Sequence, residues 1–305
     1  MGDRGFPVVH IFLLLGLLLL PAVQAKEIAL TYDDCPMADG EYYTGVRRTQ
    51  VLTRKLKTSK VPSVGFFCTT RHLDATGRRR LKMYSDAGHI IGNHTALHPD
   101  FHKTETADYI ASIEAAHAKL KDFATFRKWF RFPYLREGET VEKRDALRAY
   151  LKRAGYTSGY VTVDTYDWYM NSLFQKALET GKKVDFTKLE KMYTKVLTEG
   201  ADFYDAIAQR ALGYSPRHVM LLHENDLAAL YVDKLVKQLR GNGWKIISIE
   251  SAYEDPIAKE EPDTLLLGQG RVVALAKAKG DPGPFWKWED EAELDKLFEE
   301  EQVFQ

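Results

Sequence analysis

Cysteine is scarce: 305 residues contain two, Cys35 and Cys68. That excludes a disulfide-built scaffold and a zinc site made of cysteines. Charge of one sign is also missing, because 43 basic side chains balance 43 acidic ones. A nucleic-acid binder would carry a basic excess, so no nucleic-acid partner is expected. No internal repeat is evident, and beyond the first 25 residues no apolar run is long enough to span a membrane. Hydrophobic residues make up 45% and charged residues 28%, the balance of an ordinary globular protein.

The first 25 residues read as a secretory signal peptide. Arg4 precedes an apolar run over residues 8–20, broken by His10 and Gly16, and Val23-Gln24-Ala25 supplies the small-x-small ending. Cleavage after Ala25 is expected, with export to the periplasm or the outside and no integral membrane domain thereafter. An uncleaved anchor is the alternative. No cysteine follows the apolar run, which argues against a lipoprotein. In an exported protein Cys35 and Cys68 could bridge neighbouring strand ends, and two free thiols fit equally well.

From residue 27 on, short apolar runs alternate with amphipathic stretches. Residues 27–32, 64–68, 89–92, 129–132, 160–163, 219–222 and 246–249 read as strands. Residues 45–57, 78–86, 106–123, 144–154, 185–211 and 228–238 read as helices. This alternation predicts parallel strands joined by helical crossovers. The chain divides into the signal peptide (1–25), one α/β domain (26–258) and a C-terminal extension (259–305). That extension ends in an acidic stretch, read as a surface helix or a partly disordered tail.

Polar residues gather where the strands stop. Asp33-Asp34, the Asp164–Asp167 stretch and His223 each lie at or just past a strand's carboxyl end, the face on which barrel enzymes build their sites. His94 and His98 are four apart, so a helical turn over residues 93–98 would aim both imidazoles one way. One aspartate with two histidines can hold a divalent cation, and the second aspartate is left to face a water on it. Arg131 could hold that free carboxylate ionised. His223 could act as general acid, steadied by Asp164 or Asp167. Trp168 could wall a small apolar pocket.

Five segments occur in order: Thr31-Tyr32-Asp33-Asp34-Cys35-Pro36, His94-Thr95-Ala96-Leu97-His98, Arg131-Phe132-Pro133-Tyr134, Asp164-Thr165-Tyr166-Asp167-Trp168 and Leu221-Leu222-His223. In this the chain resembles the polysaccharide deacetylases, carbohydrate esterases with a NodB homology domain. The resemblance implies a distorted (β/α) barrel of about seven strands and metal-dependent N- or O-deacetylation of a glycan. It also implies that Asp33 is the general base and that Asp34, His94 and His98 ligate the metal. Arg131 would hold the base, and the Tyr134 backbone N–H would face the oxyanion. His223 would be the acid, steadied by Asp167, with Trp168 and Leu221 lining the acetyl pocket. Zn²⁺ is the expected ion, although Co²⁺, Ni²⁺, Mn²⁺ or Fe²⁺ would suit the same donors. Three departures stand out: Cys35 where glycine is usual, Glu224 where aspartate is usual, and a long helical stretch over residues 169–214. The rival readings are an amidase for cyclic imides or ureides and a non-catalytic glycan-binding protein on the same fold.

Overall fold

A computed structural model describes residues 1–2, 26–265 and 268–305. The expected signal peptide falls almost wholly outside them. Among the described residues no helix is long and apolar enough to cross a membrane.

The chain runs β1 (Lys26–Cys35), α1 (Gly45–Thr58), β2 (Gly65–Cys68), α2 (Ala75–Asp86), β3 (Ile90–Asn93), α3 (Thr106–Leu120), β4 (Phe126–Phe130), α4 (Val141–Arg153) and β5 (Thr157–Ser158). It continues α5 (Asp167–Glu179), α6 (Phe186–Leu212), β6 (His218–His223), α7 (Asp226–Gly241), β7 (Trp244–Ile246), α8 (Ile249–Ala252), α9 (Arg271–Ala278) and α10 (Glu291–Glu300). The strands form one seven-stranded sheet in the order β5-β4-β3-β2-β1-β6, with β7 also on β1. Every pairing is parallel. The expected distorted (β/α) barrel of about seven strands is present as this curled, all-parallel half-barrel.

Parallel strands are covered on both faces, which is why β1, β2, β3 and β6 read as apolar runs rather than alternating ones. β1 lies between β2 and β6, and Ile28, Ala29, Leu30 and Tyr32 are fully buried. Because the strands are parallel, their carboxyl ends share one edge. That geometry gathers Asp33-Asp34, Asn93-His94, Arg131 and His223.

Three sequence expectations need correction. The strand expected over residues 160–163 is reduced to an isolated bridge between Val163 and Met220. Thr162 and Val163 both donate their backbone N–H to the Val219 carbonyl, so the chain leaves the ladder there. The last strand, expected over residues 246–249, ends at Ile246, because Ser248 caps α8 by accepting from the Ser251 N–H. Residues 93–98 do not turn helically: Thr95 (φ 69°) and His98 (φ 57°) are left-handed, which no α-helix allows.

The long helical stretch resolves into α5 and a single 27-residue α6. Asp185 caps α6 by accepting from the Thr187 and Lys188 N–H groups, and Gly213 ends it at φ 80°. The acidic tail is ordered. Leu294 and Phe298 of α10 are buried, Tyr204 donates to Glu289, and Tyr169 donates to Asp295. α9 buries Val272, Val273 and Ala276 in the same apolar core as β1 and α6.

Candidate metal centre and cleft

At the carboxyl edge of the sheet a cleft of about 970 Å³ is lined by Asp33, Asp34, His94, His98, Tyr134, Trp168, Leu221 and His223, among others. Asp34, His94 and His98 each offer one donor atom, and these atoms lie within 4.8 Å of one another. The Asp34 Oδ1 is 3.4 Å from His98 Nε2 and 3.9 Å from His94 Nε2. Ligands about 2.0–2.2 Å from a tetrahedral ion stand about 3.3–3.6 Å apart; the Asp34–His98 pair already has that spacing, and the three donors would close on one cation.

Local structure explains this convergence. Asp34 is an extra residue in β1: Asp33 pairs with Phe67 and Cys35 with Cys68, while Asp34 (φ 65°) pairs with nothing. This bulge turns the Asp34 carboxylate out of the ladder. On the other side, Asn93 fixes the histidine loop. Its Oδ1 accepts from the Thr95 N–H, and its Nδ2 donates to the Ile113 carbonyl and to the Tyr156 hydroxyl. Thr95 Oγ1 then accepts from the His98 N–H. The loop, not a helix, brings the two rings to 4.9 Å.

The electrostatics suit a cation. His94 places Nδ1 2.8 Å from the Arg131 carbonyl, so Nδ1 carries the proton and Nε2 keeps a free lone pair. Burial, and then the neighbouring His98, hold His94 down at about 3. Burial also lowers His98, against the pull of Asp34. Both rings are therefore neutral at pH 7, the form that binds metal.

Asp33 lies beside this triad, its Oδ2 3.6 Å from His94 Nε2. Burial raises its carboxyl, and Arg131 opposes that rise. The guanidinium is locked. Nη1 donates to Asp33 Oδ1 (2.5 Å) and Thr31 Oγ1 (2.8 Å), Nε donates to the Gly159 carbonyl (2.7 Å), and Nη2 donates to the Tyr253 hydroxyl (3.3 Å). The Phe67 ring lies 3.8 Å beneath it. Thr31 lies in the first motif but had no role assigned to it, and Tyr253 and Gly159 carry no motif, so sequence reading missed all three as partners of Arg131.

On β6, in register beside Asp33, His223 places Nδ1 2.7 Å from Asp167 Oδ1, leaving Nε2 on the opposite edge of the ring. Asp167 Oδ2 accepts from the His223 N–H and from Asn225 Nδ2. Of the two aspartates considered as orienters, Asp167 is therefore the partner. Asp164 lines the same cleft but makes no hydrogen bond to His223, and its carboxyl is pushed up by burial and by Glu289. Trp168 is 40% exposed and Leu221 6%, both on the cleft wall. Tyr134 is left-handed (φ 58°), and among the described residues no group accepts its backbone N–H.

A buried ion network braces the edge from below. Glu224, fully buried, accepts from Arg80 Nη2 at 2.7 and 3.0 Å, from the Tyr84 hydroxyl and from the Met37 N–H. Arg48 donates to Asp226 and to the carbonyls of Met37 and Ala38. The loop after Asp34 is thus tied to α1, α2 and the residues beyond β6. Glu224 could be singled out in sequence as a departure, but its two arginines lie 144 and 176 residues upstream and gave no signal.

The sequence model described as polysaccharide deacetylase matches residues 21–159. The chain is 26% identical over 238 residues to a peptidoglycan-N-acetylglucosamine deacetylase of Bacillus cereus, covering 75% of this chain and 68% of that protein. It is 31% identical over 167 residues to the peptidoglycan-N-acetylmuramic acid deacetylase PdaA of Bacillus subtilis, covering 54% of this chain and 56% of that one. Its fold is similar to that of the polysaccharide deacetylase Bc1974 from Bacillus cereus: TM-score 0.54, 19% identity, 73% of this chain and 91% of that chain.

Proposed function

We propose that this chain is a polysaccharide deacetylase and hydrolyses the acetamido group of N-acetylated amino sugars in a cell-wall or extracellular glycan, with a divalent cation at Asp34, His94 and His98. The observation that carries this reading is one cleft edge holding those three donors, a second carboxylate locked to Arg131, and an aspartate-bound histidine beside it. Zn²⁺ suits two neutral imidazoles and one carboxylate. Bound there, the cation supplies Lewis acidity toward the acetyl carbonyl and makes a nearby water more acidic.

The chain's own residues supply the rest. Asp33 takes a proton as water adds to the carbonyl carbon, and Arg131 keeps its carboxylate aimed. The unpaired Tyr134 N–H donates to the oxygen that gains charge in the tetrahedral intermediate. His223 gives its Nε2 proton to the leaving nitrogen as the C–N bond breaks, and Asp167, against Nδ1, orients the ring and favours its charged form. The products are acetate and an amine. Trp168 and Leu221 wall the space beside Asp33 in which the acetyl methyl would sit. Export past a membrane, by the sequence's N-terminal segment, would bring the enzyme to such a polymer.

Acetate release from N-acetylglucosamine oligomers and from peptidoglycan, with and without chelator, tests this reading. Chelator-sensitive release restored by added Zn²⁺ supports it. Release from cyclic imides alone would favour the amidase reading. Glycan binding without release in any metal would favour a binding protein.

A further inference from the structure

The two cysteines take no part in the chemistry above, yet they lie directly under it. Cys35 ends β1 and Cys68 ends β2, both with zero exposure. They are free thiols with Sγ atoms 2.7 Å apart. Their pairing depends on the bulge. The ladder runs Tyr32 to Phe66 and Asp33 to Phe67, then skips Asp34 to pair Cys35 with Cys68. In an unbroken register Cys68 would face Asp34 and Cys35 would have no partner in β2. Neighbouring strands lie about 4.8 Å apart, inside the Cα window of about 4.4–6.8 Å that a disulfide requires. Each cysteine is also joined through the backbone to a candidate ligand: Cys35 follows Asp34, and the Cys68 carbonyl accepts the His94 N–H at 3.0 Å.

We propose that Cys35 and Cys68 join in a disulfide that closes the ladder behind the bulge and clamps the backbone presenting Asp34 and His94. The bond itself stands independently of the functional reading, whereas the clamp rests on Asp34 and His94 being metal ligands. One thiolate attacks a sulfur of an external disulfide R–S–S–R, forming a mixed disulfide and releasing RSH, which carries off the thiol proton. The other thiolate attacks the protein sulfur of that mixed disulfide and expels a second RSH. Two protein thiols are oxidised by two electrons, and the donor disulfide is reduced to two thiols. Zero exposure places the exchange in the folding chain or in an opened edge of the sheet, and makes the finished bond hard to reduce.

The test equilibrates the full chain in reduced and oxidised glutathione at several ratios, then denatures, alkylates and weighs it. The expected result is a chain lighter by two hydrogens and unalkylated even where reduced glutathione is in excess. Two alkylated cysteines in oxidised glutathione alone would overturn the bond. A second arm compares Zn²⁺ affinity of the oxidised chain with that of the Cys35→Ser/Cys68→Ser chain, by competition with a chelating dye. The expected result is weaker binding by severalfold in the double variant, together with a melting temperature lower by several degrees. Equal affinities with an intact bond would overturn the clamp and leave the bond. No Zn²⁺ binding by the oxidised chain would overturn both the clamp and the metal reading, and would leave the bond to the first arm.

Discussion

Burial alone would make the cationic form of His223 costly, yet the Asp167 carboxylate against Nδ1 outweighs it and the imidazole ends at about 9. A proton donor is therefore loaded at neutral pH. Proton delivery to nitrogen should fail as pH rises through about 9, seen as the basic limb of kcat/KM. Asp167→Asn should move that limb toward the ordinary histidine value of about 6.5. The sign for stability is the same: because the folded value is raised, the pair's contribution is full below about pH 6.5 and is lost as pH rises through about 9. Arg131 offers a second residue-scale prediction. Lysine cannot donate to Asp33, Thr31, Gly159 and Tyr253 from one planar fork, so Arg131→Lys should cost about 10²-fold in kcat with KM little changed. Steady-state kinetics on a defined oligosaccharide would check it. At this scale the sequence was most legible, since Asp33, Asp34, His94, His98, Arg131 and His223 all reach one cleft edge. The left-handed bulge at Asp34 was not legible, because an unpaired residue in a ladder depends on its partner strand.

Among the elements, the network around Glu224 matters most. It joins the loop after β1 to α1, α2 and the turn into α7 through charges shielded from water. Glu224→Gln would leave Arg48 and Arg80 without their shared counter-charge, and breaking a buried pair from one side typically costs about 3–5 kcal/mol. Denaturant unfolding should report a loss of that order. Gly159 makes a sharper test of element packing. A Cβ there would come 2.3 Å from the Phe67 ring and 3.0 Å from the Phe130 carbonyl. Because Phe67 underlies Arg131, Gly159→Ala should lower activity more than its thermal shift suggests. Helices such as α1 and α7 announced themselves by periodic apolar residues. The expected helical turn at residues 93–98 failed because the Asn93 and Thr95 side chains capture backbone N–H groups there and offer the loop an alternative to helix.

Over the whole molecule, α6, α9 and α10 join the carboxyl-terminal third to the sheet in one core. Val184 bridges to Phe304, and the Lys183 N–H donates to the Gln305 carbonyl, so the last residues lie against the start of α6. Removing residues 259–305 should therefore expose apolar surface on α6 and lower the melting temperature by well over 10 °C or prevent folding, as read by circular dichroism. Composition could not reveal this, because an acidic stretch looks the same in sequence whether it is solvated or docked. The parallel arrangement was legible for the opposite reason: a strand buried on both faces leaves an unbroken apolar run, and its carboxyl end is marked by the first polar residues after it. The proposed chemistry depends on Asp33 acting beside the cation rather than holding it. The most direct measurement is acetate release together with metal content for Asp33→Asn. One equivalent of Zn²⁺ with turnover reduced by at least about 10²-fold is predicted. Full turnover with metal retained, or metal lost with the carboxylate, would contradict it.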